Sequence, residues 1–475
     1  MNTPAFRLYA LIALLFAALV GQTSRWTVFE AEALRDNELN RRELLEEQRI
    51  HRGPIRARDG QVIARSVEGK GGTFSRRYPL GALFGHPVGY SYIDIGRYEL
   101  EQSRNDELSG ERDDVGSIID QLSGREREGE EVRTTLDVGA QRVAFEALGA
   151  QRGAVVALEP QTGRIRVMAS NPSYDPDALR RRGALKQLDD APGSPLVNRT
   201  TMGQYPPGST MKVVTAVAAI DSGKFTKDST LDGSSPKTIS GAPLNNFGGE
   251  DFGVIPLTQA LTNSVNTVWA QVGVELGGAT MQRYMERFGF YDRVEVDLPT
   301  RQRERSGVYV QGHGIQDMTS DRVDVGRAAI GQGGLLATPL QMAMVASAVA
   351  NDGTLMKPVL TERIVDRDGR SEEVEPEELS QVMKQSTALE VGDMMASVVR
   401  EGTGTAAALS GIDVAGKTGT AEIIPAQNVN QPWFIGFAPR DNPKIAVAVT
   451  IERSNGTGGV VAAPIAKRVM EELLQ

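Results

Sequence analysis

The sequence predicts an α+β fold in which a central antiparallel sheet is covered by helices. Strand-like apolar runs occur near both ends of the region after residue 150, and helical stretches fill the middle of that region. Strands from both ends that flank a helical middle favour one antiparallel sheet, closed by its N- and C-terminal segments, with helices on its faces. We divide the chain into an anchor at 1–24, a small N-terminal module and linker at 25–150, and the sheet domain at 151–475.

The strands of the sheet domain are bounded by turn residues. A hairpin is indicated by two apolar runs joined through a Pro-Gln-Thr-Gly turn at 160–163, and proline residues separate three later runs. The predicted strands are Ala154–Leu158, Arg164–Ala169, Val414–Ile424, Trp433–Ala438 and Ile445–Ile451. The predicted helices are Met211–Ile220, Leu257–Val274, Leu340–Ala350 and Ala463–Leu474.

The first residues of the chain predict a membrane anchor. No charged residue occurs between Arg7 and Arg25, and residues 8–24 meet the lower limit of roughly 17–25 residues for a bilayer-spanning helix. The short positive tail favours a cytoplasmic N-terminus, with the body of the protein on the outer face of the plasma membrane. A cleavable signal peptide is the alternative, although no A-x-A cleavage site follows the apolar run.

The region between the anchor and residue 150 is short and strongly charged. Residues 27–52 resemble a helical stalk, and residues 55–64 predict a small hairpin that turns at Asp59 and Gly60. From residue 98 to 133 the composition is rich in charge and poor in aromatic residues, which is typical of a linker or a solvated module.

Composition excludes several functions. The net charge of −9 argues against a sequence-independent grip on nucleic acid, and the absence of cysteine excludes disulfides and thiolate catalysis. The three histidines, His51, His86 and His313, are not spaced as metal ligands, and none lies in a nucleophile-elbow context. We therefore expect no cysteine metal site, and a catalytic base other than histidine.

A serine and a lysine one turn apart form the first candidate catalytic pair. Two prolines and a glycine lead into Ser209, so the serine is expected at the N-terminus of a helix that is apolar on nearly every side. Lys212 follows three residues later on the same face, within about 5–6 Å between Cβ atoms. Burial should lower the pKa of Lys212, which suits a base that takes the serine proton.

Two further motifs complete the candidate site. Ser264 and Asn266 lie in apolar helical sequence and are expected to project from one local turn toward Ser209. Lys417, Thr418, Gly419 and Thr420 lie in a predicted strand, where the glycine would let a substrate backbone approach closely. If this strand is at the edge of the cleft, a peptide can add to it as a further strand.

The strand that carries Lys417 to Thr420 is expected to bind the substrate. Lys417 and the hydroxyls of Thr418 and Thr420 would bind a terminal carboxylate of the substrate. The backbone N–H groups of Thr420 and Ser209 would form an oxyanion hole. We therefore expect the protein to pass through an acyl-serine.

Each motif has a structural alternative when it is judged alone. The S-x-x-K pattern recurs at Ser234–Lys237, in loop-like sequence, and an S-x-N pattern recurs at Ser103–Asn105, in the charged region. Ser264 and Asn266 could cap a helix, and Lys-Thr-Gly could be a plain turn. The occurrence of all three motifs in order, each in its required context, favours the functional interpretation.

At these motifs the chain resembles a monofunctional, class B penicillin-binding protein of the penicillin-binding protein A type. The resemblance extends over nearly the whole length and implies a serine β-lactamase/transpeptidase-like fold. There is too little chain before residue 150 for the glycosyltransferase domain of the bifunctional class. The segments that carry the resemblance, besides the three motifs, are Arg52–Ile55, Arg77–Pro79, Gly153–Pro160, Ser170–Pro176, Ala329–Gly333, Ala337–Ala343 and Trp433–Pro439.

The resemblance implies peptidoglycan D,D-transpeptidation. Ser209 would attack the penultimate D-Ala carbonyl of a stem peptide, D-Ala would leave, and an amine of a second stem would attack the acyl-enzyme. β-Lactams would acylate the same serine, and the resemblance implies that no metal or organic cofactor is required. A membrane glycan polymerase is an implied partner.

Two other classes of function are weighed against transpeptidation. A D,D-carboxypeptidase or β-lactamase needs a deacylating water, and Glu295–Leu298 partly resembles the class A deacylation loop, but Pro299 stands where that loop has Asn. A β-lactam sensor needs a signalling domain on the inner side, where only about six residues precede Arg7, and a non-catalytic scaffold would usually have lost a motif.

Overall fold

The structure is a computed structural model that describes residues 3–25, 48–111, 128–427 and 429–475. Most of the predicted stalk at 27–52, and the middle of the charged region at 98–133, therefore lie outside the described residues. The first described helix, Thr3–Ser24, includes an exposed stretch from Arg7 to Ser24 that is long and apolar enough to cross a membrane.

The sheet domain is built on a five-stranded antiparallel sheet, as predicted. Strands from the two ends of the domain pair in its middle, where Val449 lies opposite Val155. The order across the sheet is Ala415–Ile424, Val429–Ala438, Ile445–Ile451, Gly153–Leu158 and Ile165–Asn171. The strand that carries the Lys-Thr-Gly motif is therefore an edge strand.

Helices cover both faces of this sheet because its inner strands are apolar on both sides. In the strand Gly153–Leu158, Val155 and Ala157 belong to one buried cluster, whereas Val156 and Leu158 belong to the other. The first cluster includes the helices Val138–Leu148 and Ala463–Leu473, which pack on each other. The second includes the fully buried helix Pro339–Ala350.

The remaining helices lie mainly between the terminal strands. The predicted single helix at 257–274 is wrong, because the chain forms two helices that are separated at residues 263–265, where Ser264 has a left-handed backbone (φ 60°). The α-helices of the described chain, besides those already named, are Gly85–Val88, Leu100–Ser103, Asn105–Ser109, Ala184–Asp189, Lys212–Asp221, Leu257–Thr262, Asn266–Leu276, Gly278–Arg287, Val325–Ala328 and Gln385–Arg400.

A second, six-stranded sheet forms the N-terminal module. The predicted hairpin at 55–64 is present, with Ile55 opposite Ala64 and Gly60 in a left-handed turn position (φ 86°). The order is Ser371–Glu373, Thr361–Val365, Glu131–Thr134, Ile55–Arg56, Val62–Glu68 and Phe74–Arg77. Two of these strands come from beyond residue 360, so the module and the sheet domain share a sheet.

Short two- and three-stranded pairings complete the fold. Their strands are Ser91–Tyr92 with Gly96–Arg97, Thr230–Asp232 with Val254–Pro256, Lys237–Ile239 with Ala242–Leu244, Gly307–Val310 with Gly314–Gln316 and Leu335–Leu336, and Thr354–Met356 with Glu378–Gln381. The pairing of Lys237–Ile239 with Ala242–Leu244 extends one wall of the cleft described below.

The prediction of a solvated linker at residues 98–133 is wrong at the strand Glu131–Thr134, where Val132 is fully buried, and for residues 98–111. Leu100 and Leu108 are fully buried there, together with the carboxyl-bearing residues Glu99 and Glu101. Composition misleads at this point because Glu101 is compensated inside the fold by two arginines from earlier in the chain, Arg52 among them.

Candidate active site

Ser209 lies at the N-terminal end of a buried helix, as the sequence predicts. It belongs to a short 3₁₀ turn, Gly208–Met211, that continues directly into the helix Lys212–Asp221, whose first eight residues are buried. Ser209 itself remains partly exposed and lines a cleft. The Ser209 hydroxyl is therefore accessible to solvent at one end of the helix, whereas residues 212–219 of the helix are buried.

Lys212 is fully buried below this serine turn. Its Nζ atom donates to the backbone O of Ser264 at 2.7 Å, to Oδ1 of Asn266 at 2.7 Å and to Oγ of Ser264 at 3.2 Å. Burial lowers the pKa of Lys212 well below its usual value, and the nearby Lys417 ammonium lowers it further. Within the described residues Lys212 has no carboxylate partner, so the neutral amine is favoured; because a neutral amine has two N–H bonds, it donates to only two of these three oxygens at a time.

The break between two helices brings Ser264 and Asn266 to the lysine. Ser264 adopts its left-handed conformation just before Asn266 begins the second helix. Asn266 is fixed from its other side, because its Nδ2 donates to the backbone O of Asn245 at 3.0 Å. The polar pair predicted from the sequence thus meets Lys212 through a turn that helical periodicity alone did not predict.

The Lys-Thr-Gly strand presents alternate side chains to the cleft. Thr418 and Thr420 line it, whereas the fully buried Lys417 lies behind them and donates from Nζ to the backbone O of Thr418 at 3.0 Å. Burial lowers the pKa of Lys417 to about 7. The Thr418 and Thr403 hydroxyl oxygens are 2.6 Å apart, which orients Thr418.

The structure gives a second reason why glycine is needed at Gly419. A Cβ atom at this position would come within 2.7 Å of the backbone O of Pro207 and 3.0 Å of Thr210 Cγ2. Glycine is therefore required because the Ser209 turn packs directly on this strand. The contact brings Ser209 and the edge strand together in one cleft.

The cleft has a volume of about 530 Å³ and is lined by five of the predicted site residues, Ser209, Ser264, Asn266, Thr418 and Thr420. The other side chains around it were not predicted, because most of them come from segments far apart in the chain. The lining residues that were not predicted include Pro243, Leu244, Asn245, Asn246, Phe247, Glu250, Phe252, Arg327, Gln332, Thr403, Glu422 and Thr457. A two-residue period along the strand from Thr418 would have found Glu422.

The recurring motifs elsewhere have structural partners. Lys237 Nζ bonds Asp232 Oδ2 at 2.7 Å, and Ser103 Oγ donates to the backbone O of Asp297 at 2.7 Å. In the loop that resembles a deacylation loop, Asp297 accepts from the backbone N–H groups of Leu360 and Thr361, and an exposed Glu295 pairs with Lys357. None of these residues lines the cleft.

Among the residues that the structure describes, no group of three or more histidine, aspartate or glutamate side chains is arranged to hold a metal ion. The polar groups of the cleft are mainly hydroxyls and amides, which suit acyl transfer.

Comparisons with known proteins agree with this geometry. Residues 153–471 match the penicillin binding protein transpeptidase domain, and residues 52–132 match the penicillin binding protein A dimerisation domain. The chain is similar over its whole length to the peptidoglycan D,D-transpeptidases PbpA of Mycolicibacterium smegmatis and Mycobacterium tuberculosis, with 34% identity to each and 99% of each relative covered.

Solved structures give the same result. The ceftriaxone acyl-enzyme complex of penicillin-binding protein A from M. tuberculosis is 32% identical, with a TM-score of 0.81, and covers 91% of this chain and 100% of that one. A D,D-transpeptidase domain from Eggerthella lenta is 34% identical, with a TM-score of 0.79, and covers 90% and 98%. The chain belongs to the penicillin-binding protein transpeptidase family. Within that family it is a class B enzyme of the penicillin-binding protein A type, a serine D,D-transpeptidase.

Proposed function

We propose that this transpeptidase cross-links peptidoglycan stem peptides through an ester on Ser209. The Ser209 oxygen attacks the carbonyl carbon of the penultimate D-alanine, and the amide bond to the terminal D-alanine breaks. Lys212 takes the hydroxyl proton and returns a proton to the departing D-alanine amine. An amine of a second stem peptide then attacks the ester, which forms the new amide and restores the serine hydroxyl.

The observation that carries this proposal is the state of Lys212. Taking an ammonium out of water is costly, so the neutral amine is favoured at Lys212, which is fully buried and has no carboxylate partner among the described residues. Because Lys212 follows Ser209 by three residues, about one helical turn, its neutral amine is the proposed general base for the partly exposed Ser209 hydroxyl. Ser264 and Asn266 orient this amine through the hydrogen bonds already described.

The edge strand supplies the remaining parts of the proposed mechanism. The backbone N–H groups of Ser209 and Thr420 form the oxyanion hole for the tetrahedral intermediate. The Thr418 and Thr420 hydroxyls bind the terminal carboxylate of the donor, and the Lys417 charge behind them attracts it. β-Lactams acylate Ser209 because they present a carboxylate and a reactive carbonyl to the same groups.

Transfer to an amine is favoured over hydrolysis. D,D-carboxypeptidase or β-lactamase activity needs a group that activates water against the ester. The candidate for that group in the sequence, Glu295, is exposed, pairs with Lys357 and is not a lining residue of the cleft.

The position of the enzyme in the cell follows from its apolar N-terminal helix. We infer a single-pass anchor at 1–24 in the plasma membrane, with the N-terminus in the cytoplasm and the catalytic domain on the outer face. The non-catalytic module at 25–150 would link this anchor to the transpeptidase domain at 151–475. A membrane glycan polymerase would be the partner that makes the glycan strands.

Labelling with a fluorescent penicillin tests the proposal. Wild-type protein and the matched variant Ser234→Ala, which alters the recurring S-x-x-K pattern, should both be labelled, whereas Ser209→Ala should lose the label. Mass spectrometry of the intact adduct should assign the added mass to the peptide that contains Ser209. A label that persists in folded Ser209→Ala refutes the assignment of the nucleophile, and rapid turnover of a chromogenic cephalosporin would favour hydrolysis.

A further inference from the structure

We propose that Glu422 selects donor stem peptides that carry a cationic side chain on the residue before the two D-alanines. The ligand chemistry is a free side-chain amine on this third residue. The inference rests on the proposed function, because it uses the binding direction of the donor in the cleft.

Glu422 faces the cleft by the alternation of a strand. Thr418, Thr420 and Glu422 are successive alternate residues of the strand Ala415–Ile424, and all three line the cleft. Alternate residues of a strand are about 7 Å apart, so the carboxylate lies one such step beyond Thr420. Among the described residues, no further strand pairs with this edge of the five-stranded sheet.

The chemistry fixes the direction in which the donor lies on this strand. The terminal carboxylate is at Thr418, and the reacting carbonyl is at the N–H group of Thr420. A peptide in this position runs antiparallel to the strand, and its upstream residues continue toward Glu422. The third residue from the end is therefore the one whose side chain lies beside Glu422.

The charges of the cleft decide the chemistry of that side chain. Only three of the lining residues are charged, Glu250, Arg327 and Glu422. The Arg327 guanidinium donates to the backbone O of Pro243 at 2.8 Å and lies 3.8 Å from Asp324, so its charge is partly engaged. Glu422 is exposed and has no ion pair with any described residue.

An unpaired carboxylate at this position attracts an ammonium and repels an anion. In the complex, the Glu422 carboxylate would accept a charge-assisted hydrogen bond from the ammonium of a side chain long enough to reach it. Such a contact is partly exposed, so its expected effect is moderate and falls with added salt.

The test compares two peptide thioester donors that differ only in whether the amine of the third residue is free or acetylated. The second-order rate of Ser209 acylation is measured by mass spectrometry for the full chain, for Glu422→Gln, for Glu422→Lys and for Glu275→Gln. Glu275 is an exposed glutamate outside the cleft and serves as the matched control.

The wild type and Glu275→Gln should prefer the free amine by about fivefold to tenfold. Glu422→Gln should reduce this ratio to about one, and Glu422→Lys should invert it. Equal rates for the two donors in the wild type, or a preference that survives in folded Glu422→Gln, would overturn the inference. Failure of both donors to acylate Ser209 would instead count against the proposed function, so the two outcomes are distinguishable.

Discussion

Two regions of the molecule bury charge in opposite ways. In the N-terminal module the fully buried Glu101 accepts hydrogen bonds from Arg76 Nε at 2.6 Å, Arg52 NH2 at 3.0 Å and Tyr78 OH at 3.1 Å. Burial alone would raise the pKa of Glu101, but the two arginines hold it below its usual value. In the active site, Lys212 and Lys417 are equally buried, and within the described chain neither has a carboxylate beside it.

The difference separates structural charge from reactive charge. A buried ion cluster with matched partners keeps each group in its charged form and ties segments of the chain together. Buried cations without counter-charges are pushed toward their neutral forms, which a general base requires. Four predictions test whether the two regions differ in this sense.

The largest effect is expected for Lys212→Met. The methionine fills a similar volume but has no amine, so Ser209 loses the base that takes its proton. The second-order rate of β-lactam acylation should fall by about 10²–10⁴-fold, as measured by stopped-flow or mass spectrometry. Lys186→Met, at an exposed lysine, is the control and should leave the rate unchanged. An unchanged rate in folded Lys212→Met would assign the base to another group.

In the module, Glu101→Gln should act on stability instead of on chemistry. The variant leaves Arg52 and Arg76 buried without a counter-charge, which should lower the free energy of unfolding by about 3–5 kcal/mol, measured by denaturant titration. Asp190→Asn removes an exposed pair with Lys186 and should cost less than about 1 kcal/mol. If the two variants lost similar stability, the cluster around Glu101 would not be a structural device.

This comparison also explains what the sequence could and could not reveal. Ser209, Lys212 and Lys417 were predictable because a polar residue inside an apolar helix or strand needs a reason to be there. The burial of Glu101 was not predictable, because the two arginines that compensate its charge lie 25 and 49 residues earlier in the chain. Composition alone therefore assigned residues 98–111 to solvent.

The active site shows the same limit at shorter range. The sheet followed from apolar runs with turn residues between them, and its pairing followed from the strands at both ends of the domain. The helix break at Ser264 could not be predicted, because the apolar periodicity of the sequence continues through it. Only the contact with Lys212 in the folded structure gives a reason for the turn. Cleft residues such as Phe247 come from loops whose packing depends on distant segments.

A pH profile of β-lactam acylation sharpens the comparison at the two lysines. If Lys212 is the base, as proposed, acylation requires its neutral form, so the rate should fall by about tenfold per pH unit once the pH drops below the lowered pKa of Lys212. It also requires charged Lys417, whose pKa of about 7 predicts a second decline above neutral pH. The profile of the second-order rate should therefore be bell-shaped, and it reports the pair of coupled lysines in the free enzyme. A rate that still rises through pH 9 would show that the Lys417 charge is not needed.

The smallest effect is expected for Glu99, whose environment is intermediate between that of Glu101 and that of the two buried lysines. This fully buried carboxyl accepts from Asn198 Nδ2 at 3.1 Å, and its other oxygen has no hydrogen-bond partner within the described residues. Burial raises the pKa of Glu99 from 4.5 to about 8, so the folded protein holds a proton that the unfolded chain releases. Stability is therefore lost as the pH rises from about 5 through 8.

Glu99→Gln imitates the protonated carboxyl and should remove this dependence. Its melting temperature at pH 8 should exceed that of the wild type by roughly 2–4 °C, whereas the two proteins should melt together near pH 5. Calorimetry across this range checks the prediction, with Glu275→Gln as the exposed control that should follow the wild type at every pH. Parallel curves for Glu99→Gln and the wild type would mean that the buried carboxyl keeps its charge, as Glu101 does, and that a counter-charge lies closer to it than Asn198.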